Sequence, residues 1–274
     1  MTDHHFETHE PIELYVENGK GLVEVHATDT TETRVELSGP DAEETRVELE
    51  GTQLSVIAPQ HRGGFLGGDR RLDIVVTLPT LSDVVTKLGS ADLRATGTVG
   101  GTQVRSGSGD VSLETLGGAC LIETGSGDVR VERAEQALRI KSGSGDVGIG
   151  TAAAEVSVST GSGDVQITDA AGPTAVKTGS GDLLIGRAHT DVGLTTGSGD
   201  LEIQSVSSGR VQVKGASGDV RVGVPAGVPV WTDVSTVSGR IHSTLEGAGQ
   251  PEPGADHVEL RAKTVSGDIV LTQL

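Results

Sequence analysis

The sequence predicts an all-β protein: a single-chain β-solenoid (β-helix) of 18-residue coils with parallel strand stacking and an irregular β cap on its N-terminal side. Three observations lead there. A Ser-Gly-Asp turn recurs at a fixed interval. Each interval holds two short stretches in which apolar and variable residues alternate. No window carries the i, i+3, i+4, i+7 stripe of an amphipathic helix.

The turn sets the period. Its aspartate falls at Asp92, Asp110, Asp128, Asp146, Asp164, Asp182 and Asp200, so six successive steps are each 18 residues long. Later copies are looser: Asp219 in ASGDV, Arg240 in the Asp place of VSGRI, and Asp268 in VSGDI, at intervals of 19, 21 and 28 residues. With the Asp as position 1, position 2 reads Leu93, Val111, Val129, Val147, Val165, Leu183, Leu201 and Val220, and position 4 reads Ala95, Leu113, Val131, Ile149, Ile167, Ile185, Ile203 and Val222. Two aliphatics separated by one variable residue, many of them β-branched, are the signature of a half-buried strand. A second such strand spans positions 11 to 15, with Val104, Ile122, Ile140, Val158, Val176 and Leu194 at position 13. A looser bend rich in Ala, Gly, Pro and Asp, such as TDAAGPT, joins the two. Such a unit cannot bury its apolar face alone; stacking in register, with like strands about 4.8 Å apart, puts Val over Val and Ile over Ile.

Three regions follow. Residues 1–90 hold strand-like stretches without the strict period (LYVEN, GLVEVHA, TRVELSG, ETRVELEG, QLSVIA, LDIVVTLP) and read as irregular opening coils plus a cap that protects the first strand edge. Residues 91–222 are the regular repeats, and 223–274 are closing coils with a loop insertion at 245–257. The last strand, DIVLTQL, is followed by no polar cap and is expected to leave an edge on which another copy could stack.

The series ENGKGLVEVHATDTTETRVELSG, LDIVVTLP leading to GSADL, the serial SGSGDV turns, and the closing VGVPAGVPV with KTVSGDIVL resembles the bacterial putative-adhesin β-strand-repeat family, a domain of unknown function. The resemblance covers nearly the whole chain and implies the solenoid fold. It supplies no catalytic residues to carry over.

Composition narrows the function. The net charge of -18 argues against capture of nucleic acid or an anionic membrane, either of which requires a basic patch. Residues 1–60 alone carry 14 Asp and Glu against 3 Lys and Arg. The lone Cys120 permits no intrachain disulfide and sits at an inward position, where cysteine acts as a small hydrophobe. The N-terminal stretch lacks a basic and apolar leader pattern, which leads to the expectation of a cytoplasmic protein.

The turn could be read as a calcium motif. Calcium solenoids, however, repeat every nine residues and place Asp one residue later, so no metal is expected here. The nine aspartates Asp92, Asp110, Asp128, Asp146, Asp164, Asp182, Asp200, Asp219 and Asp268 are instead expected to form a structural ladder at the solvent rim, with Gly supplying positive φ and Ser and Asp bonding nearby N–H groups. Stacked carboxylates at that spacing repel by about 0.9 kcal/mol per pair in water, which exposure and backbone donors can absorb. His4, His5 and His9 read as a polar terminus. Outward position 14 (Arg105, Glu123, Lys141, Ser159, Lys177) is mildly basic, and no acid and base pair, phosphate loop or metal-spaced histidine set stands out. The expected function is a non-enzymatic cytoplasmic scaffold or interaction module with a protein partner and no cofactor. The alternatives are a self-stacking polymer joined through the solenoid ends and a surface adhesin.

Overall fold

The computed structural model describes residues 1–59, 71–246 and 257–274. Phe65 and most of the insertion expected at 245–257 lie outside them. All regular structure among the described residues is β-strand, in two compact units, Met1–Ala137 and Leu138–Leu274. The chain is all-β and folds as a β-solenoid.

In the first unit the strands are β1 (Thr2–Glu7), β2 (Glu13–Thr28), β3 (Glu32–Ser38), β4 (Arg46–Glu50), β5 (Gln53–Ile57), β6 (Leu72–Pro79), β7 (Asp83–Val99), β8 (Thr102–Ser106), β9 (Val111–Leu116), β10 (Cys120–Thr124) and β11 (Val129–Ala134). Strands β8 and β10 stack in parallel with Thr102 beside Cys120 and Val104 beside Ile122, while β9 and β11 stack with Val111 beside Val129 and Leu113 beside Val131. The long strands β2 and β7 each run through both strand positions of a coil, and they pair in parallel from Glu13 beside Asp83 to His26 beside Thr96.

Beyond β2 the pattern changes. β2 pairs with β5 over its first half and with β6 over its second, but β4 joins β5 antiparallel, β3 joins β6 antiparallel and β1 joins β3 antiparallel. The cap is therefore made of antiparallel additions, of which β4 and β5 form a hairpin across the two residues between Glu50 and Gln53 while β3–β6 and β1–β3 join strands distant in sequence.

The second unit contains β12 (Leu138–Ser142), β13 (Val147–Ala152), β14 (Val156–Thr160), β15 (Val165–Ala170), β16 (Thr174–Thr178), β17 (Leu183–Ala188), β18 (Val192–Ser198), β19 (Leu201–Val206), β20 (Gly209–Ser217), β21 (Val220–Val224), β22 (Val230–Thr236), β23 (Ile241–Ser243), β24 (Val258–Thr264) and β25 (Ile269–Gln273). Its core is two aliphatic columns facing each other: Ile149, Ile167, Ile185, Ile203 and Val222 on one side, and Ile140, Val158, Val176, Leu194 and Val213 on the other. Each is almost wholly removed from water. With no aromatic residue in these coils, the aliphatics fill a space too narrow for rings.

The closing coils do not stack in chain order. β24 pairs with β20 on one side and β22 on the other, and β25 lies between β21 and β23. The last coil in sequence is thus inserted beneath the one before it. DIVLTQL is an interior strand, not the open edge expected from its position at the end of the chain, and among the described residues the outermost coil of the unit is β22–β23.

The expected positive φ is met at two turn glycines of the closing coils, Gly218 (φ 142°) and Gly267 (φ 136°), but not at Gly109, Gly127, Gly163, Gly181 or Gly199, where φ lies outside the left-handed region. The latter are required by close approach: a Cβ on Gly163 would lie 2.0 Å from the Gly145 carbonyl oxygen, and one on Gly127 would lie 2.1 Å from that of Gly109. Coil spacing leaves no room for a methyl group there. Gly163→Ala is expected to cost about 1 to 3 kcal/mol through overpacking. At Gly148, the second residue of β13, a Cβ would meet nothing within 4 Å, so Gly148→Ala is expected to be neutral or to stabilise by up to about 1 kcal/mol. Urea melts of the two variants against the parent check both outcomes.

Candidate functional site

The recurring corner is the feature that the sequence marks most strongly. Before each regular arc a buried Ser or Thr turns inward, and at four of them it accepts the N–H of the second turn glycine: Gly109 N to Ser106 Oγ at 3.1 Å, Gly145 N to Ser142 Oγ at 3.0 Å, Gly163 N to Thr160 Oγ1 at 3.1 Å and Gly181 N to Thr178 Oγ1 at 2.8 Å, whereas the buried Thr124 and Thr196 hydroxyls meet no partner among the described residues. The local turn bond therefore comes from the residue ahead of the glycines. Ser108 and its equivalents between the glycines stay exposed.

The aspartates act between coils. Asp92 Oδ1 accepts the backbone N–H of Asp110 at 3.0 Å, and Asp110 Oδ1 accepts that of Asp128 at 3.0 Å. In the second unit the chain of bonds runs from Asp146 to Asp164, Asp182, Asp200, Asp219 and Asp268, at 2.7 to 2.9 Å. Asp268 Oδ1 then accepts the N–H of Arg240 at 2.8 Å. Backbone bonds run the other way, as from Val165 N to the Asp182 carbonyl at 2.8 Å, so each corner is tied to its neighbour in both directions. A hydrogen bond to a charged acceptor contributes about 1.5 to 3 kcal/mol, which exceeds the repulsion of about 0.9 kcal/mol between successive exposed carboxylates. The bonds win.

Two further aspartates do the same on the opposite corner, and sequence reading passed over both. Asp83 Oδ1 accepts the N–H of Gly101 at 2.6 Å, and Asp191 Oδ1 accepts that of Arg210 at 2.8 Å. Asp83 opens β7 and Asp191 stands just before β18 (SDVV, TDVG), each followed by an inward Val as most ladder aspartates are, and that placement was the available signal.

Beside the ladder in the second unit lies an open groove of about 480 Å³. Asp146, Asp164, Asp182 and Asp200 form one wall, and Gln166 and Glu202 stand among the outward residues opposite. Gly148 leaves the floor low at one end, and Arg221 closes the other, with its guanidinium 2.8 Å from Asp219. One oxygen of each wall carboxylate is held by the next coil, which fixes the carboxylates in a row along the groove.

Other titratable groups are dispersed. Burial pushes the Cys120 thiol up to about 12, so it stays protonated at neutral pH and is a poor nucleophile. Asp169, near the end of β15, accepts from Arg187 at 2.6 Å and lies 3.0 Å from His189; burial raises its carboxyl, but the Arg187 guanidinium, with a smaller contribution from His189, outweighs that and holds it below its usual value. His5 pairs with Asp3 at 3.2 Å, and His9 is exposed beyond the end of β1. Among the described residues no group of three or more His, Cys, Asp or Glu side chains is placed to hold a metal ion. No helix there is long and apolar enough to cross a membrane.

With this geometry the repeat can be matched to known proteins. The family model Toastrack DUF4097 matches residues 9–185 and again 122–272. The chain belongs to the Toastrack DUF4097 family. Its two overlapping matches reflect the period, since one stretch of coils fits the model in more than one register. A search of curated proteins returns no match. Among solved structures, one described as a putative adhesin from Parabacteroides merdae is 15% identical, covers 81% of this chain and 95% of its own, and superposes with a TM-score of 0.57. A putative adhesin from Bacteroides fragilis and a putative lipid-binding protein from Parabacteroides distasonis are each 13% identical, with 100% of this chain and 96% of theirs covered, at a TM-score of 0.40. The first shares the fold; the scores of the other two are too low to add to that.

Removing one rung of the ladder should be measurable. Asp164→Ala deletes the acceptor for the Asp182 N–H at a corner that water can reach, and is expected to lower stability by about 1 to 2 kcal/mol in denaturant titration. Asp164→Asn keeps an oxygen in place and is expected to lose less than half as much.

Proposed function

We propose that the chain is a non-enzymatic interaction module, a cytoplasmic scaffold whose exposed strand faces bind a protein partner. One observation carries this reading: the carboxylates that recur most regularly are committed to holding coil on coil, so the chemistry-bearing residues of the repeat serve the framework. What remains for a partner is the outward side of each strand. On β12, β14 and β16 those side chains include Arg139 and Lys177, on columns less acidic than the chain as a whole. Flat, regularly spaced sheet faces suit broad protein contact and form no closed pocket around a small substrate.

A second reading, a surface adhesin, is favoured by the description of the Parabacteroides merdae structure. Cell fractionation separates the two: recovery of the native chain from the soluble cytoplasmic fraction supports the scaffold, and recovery at the cell surface overturns it.

Partner binding has its own test. The purified chain is expected to capture a specific protein from extract of its native cell. Arg139→Glu with Lys177→Glu should weaken that capture by about tenfold or more while leaving the melting temperature within about 2 °C of the parent. Capture insensitive to the double reversal would move the contact off this face.

A further inference from the structure

The outermost coil of the second unit differs from every coil beneath it. Its inward places, which are nearly dry in the interior coils, are open: Val230 and Val234 are half-buried and Ile241 is 49% exposed. Two of those places have turned polar, with Thr232 beside Leu260 and Ser243 beside Leu271. Among the described residues β22 pairs with β24 alone and β23 with β25 alone, so each offers a free row of backbone donors and acceptors. Exposed apolar side chains also concentrate here. Of the seven large ones among the described residues, Trp231, Val237, Ile241, Val265 and Leu274 belong to the last two coils.

Arg240 decides what this edge can accept. Each interior coil presents an aspartate that accepts the next coil's N–H, whereas the outermost coil presents Arg240, whose backbone gives its N–H to Asp268 and whose side chain cannot accept. Another parallel coil would find a cation where it needs a carboxylate. Among the described residues the guanidinium meets no carboxylate within ion-pair distance. Its surroundings are not acidic: residues 206–246 and 257–274 carry 6 Lys and Arg against 5 Asp and Glu, compared with 3 against 14 in residues 1–60.

The same chain contains an edge strand of complementary pattern. β4, sequence RVELE, pairs only with β5 among the described residues. Val47 and Leu49 alternate with the exposed Arg46, Glu48 and Glu50, of which Arg46 lies 3.5 Å from Glu48 and Glu50 leaves the row net acidic, and β23 and its approach alternate Arg240 and His242 with Ile241 and Ser243. Laid side by side, the two strands put acid against Arg240 and His242 on one face and Val47 or Leu49 beside Ile241 on the other; both kinds of cross-strand pair are favourable.

We infer that the β23 edge docks a second copy of this chain through its β4 strand. The contact joins two different surfaces, so it is heterologous and continues from copy to copy unless it closes into a ring. Arg240 ends the intramolecular ladder and selects an acidic strand in place of another parallel coil. This deepens the proposed interaction module by naming one partner and one edge, and rests on that reading.

The test uses the full purified chain alone, by light scattering and sedimentation from micromolar to several hundred micromolar. Association that rises with concentration and falls with salt is expected. Arg240→Glu and, separately, Glu48→Arg with Glu50→Arg should each weaken it by about tenfold or more without lowering the melting temperature, and combining them should restore it. A monodisperse monomer throughout overturns the inference, as does association that these reversals leave unchanged. Stronger association from Arg240→Asp would also overturn it, because it would mean parallel coil stacking. A monomer that still captures its partner through Arg139 and Lys177 sinks this contact and leaves the proposed module standing.

Discussion

The fold depends on one repeated interaction, the hydrogen bond from a backbone N–H at the corner of one coil to the aspartate carboxylate of the coil before it. A solenoid coil has no core of its own, and in-register stacking gives it one. Aliphatic columns supply most of the driving force, but they are tolerant of sliding because Val, Ile and Leu fill similar space. The carboxylate bond is directional. It fixes register at the corner, the glycines allow the coils to approach closely enough for it to form, and Ser106, Ser142, Thr160 and Thr178 hold their arcs in shape. The pieces are interdependent: a methyl group on the second glycine would force the carboxylate and the N–H apart.

The same interaction explains how the chain ends. An interior coil must both give and receive at the corner, and aspartate does both, through its backbone N–H and its side chain. A coil with nothing beyond it needs only to give. Arg240 does that, which accounts for the order of the closing coils: the copy carrying Asp268 takes the interior place although it comes last in the chain, and the copy carrying Arg240 takes the outside. Thr232 and Ser243 follow the same logic, since inward residues that no coil covers can be polar.

Much of this was legible in the sequence because it is periodic. A step of 18 residues, inward aliphatics at fixed positions and a recurring corner leave little freedom in the regular coils, and the family assignment agrees with them. Two features were hidden. The antiparallel cap depends on which edges β1, β3 and β4 find, and their alternation of apolar and polar residues suits either direction of pairing. The inserted last coil depends on a non-local choice between two similar copies, and chain order suggested the wrong one. The signal was the single residue that broke the motif, VSGRI against VSGDI. The glycines were read as conformational devices, which holds at Gly218 and Gly267, whereas in the regular coils they are spacers, a distinction visible only once the carbonyl oxygen of the neighbouring coil is in place.

Amide hydrogen exchange at the ladder corners tests the central claim most directly. The side chains of Asp164 and Asp182 are exposed, and those of Asp200 and Asp219 are partly so, yet the N–H of each is bonded to the carboxylate of the preceding coil. The account predicts slow exchange at these four amides, comparable with the strand interiors on either side. Exchange as fast as that of a water-exposed amide with no hydrogen bond would contradict it.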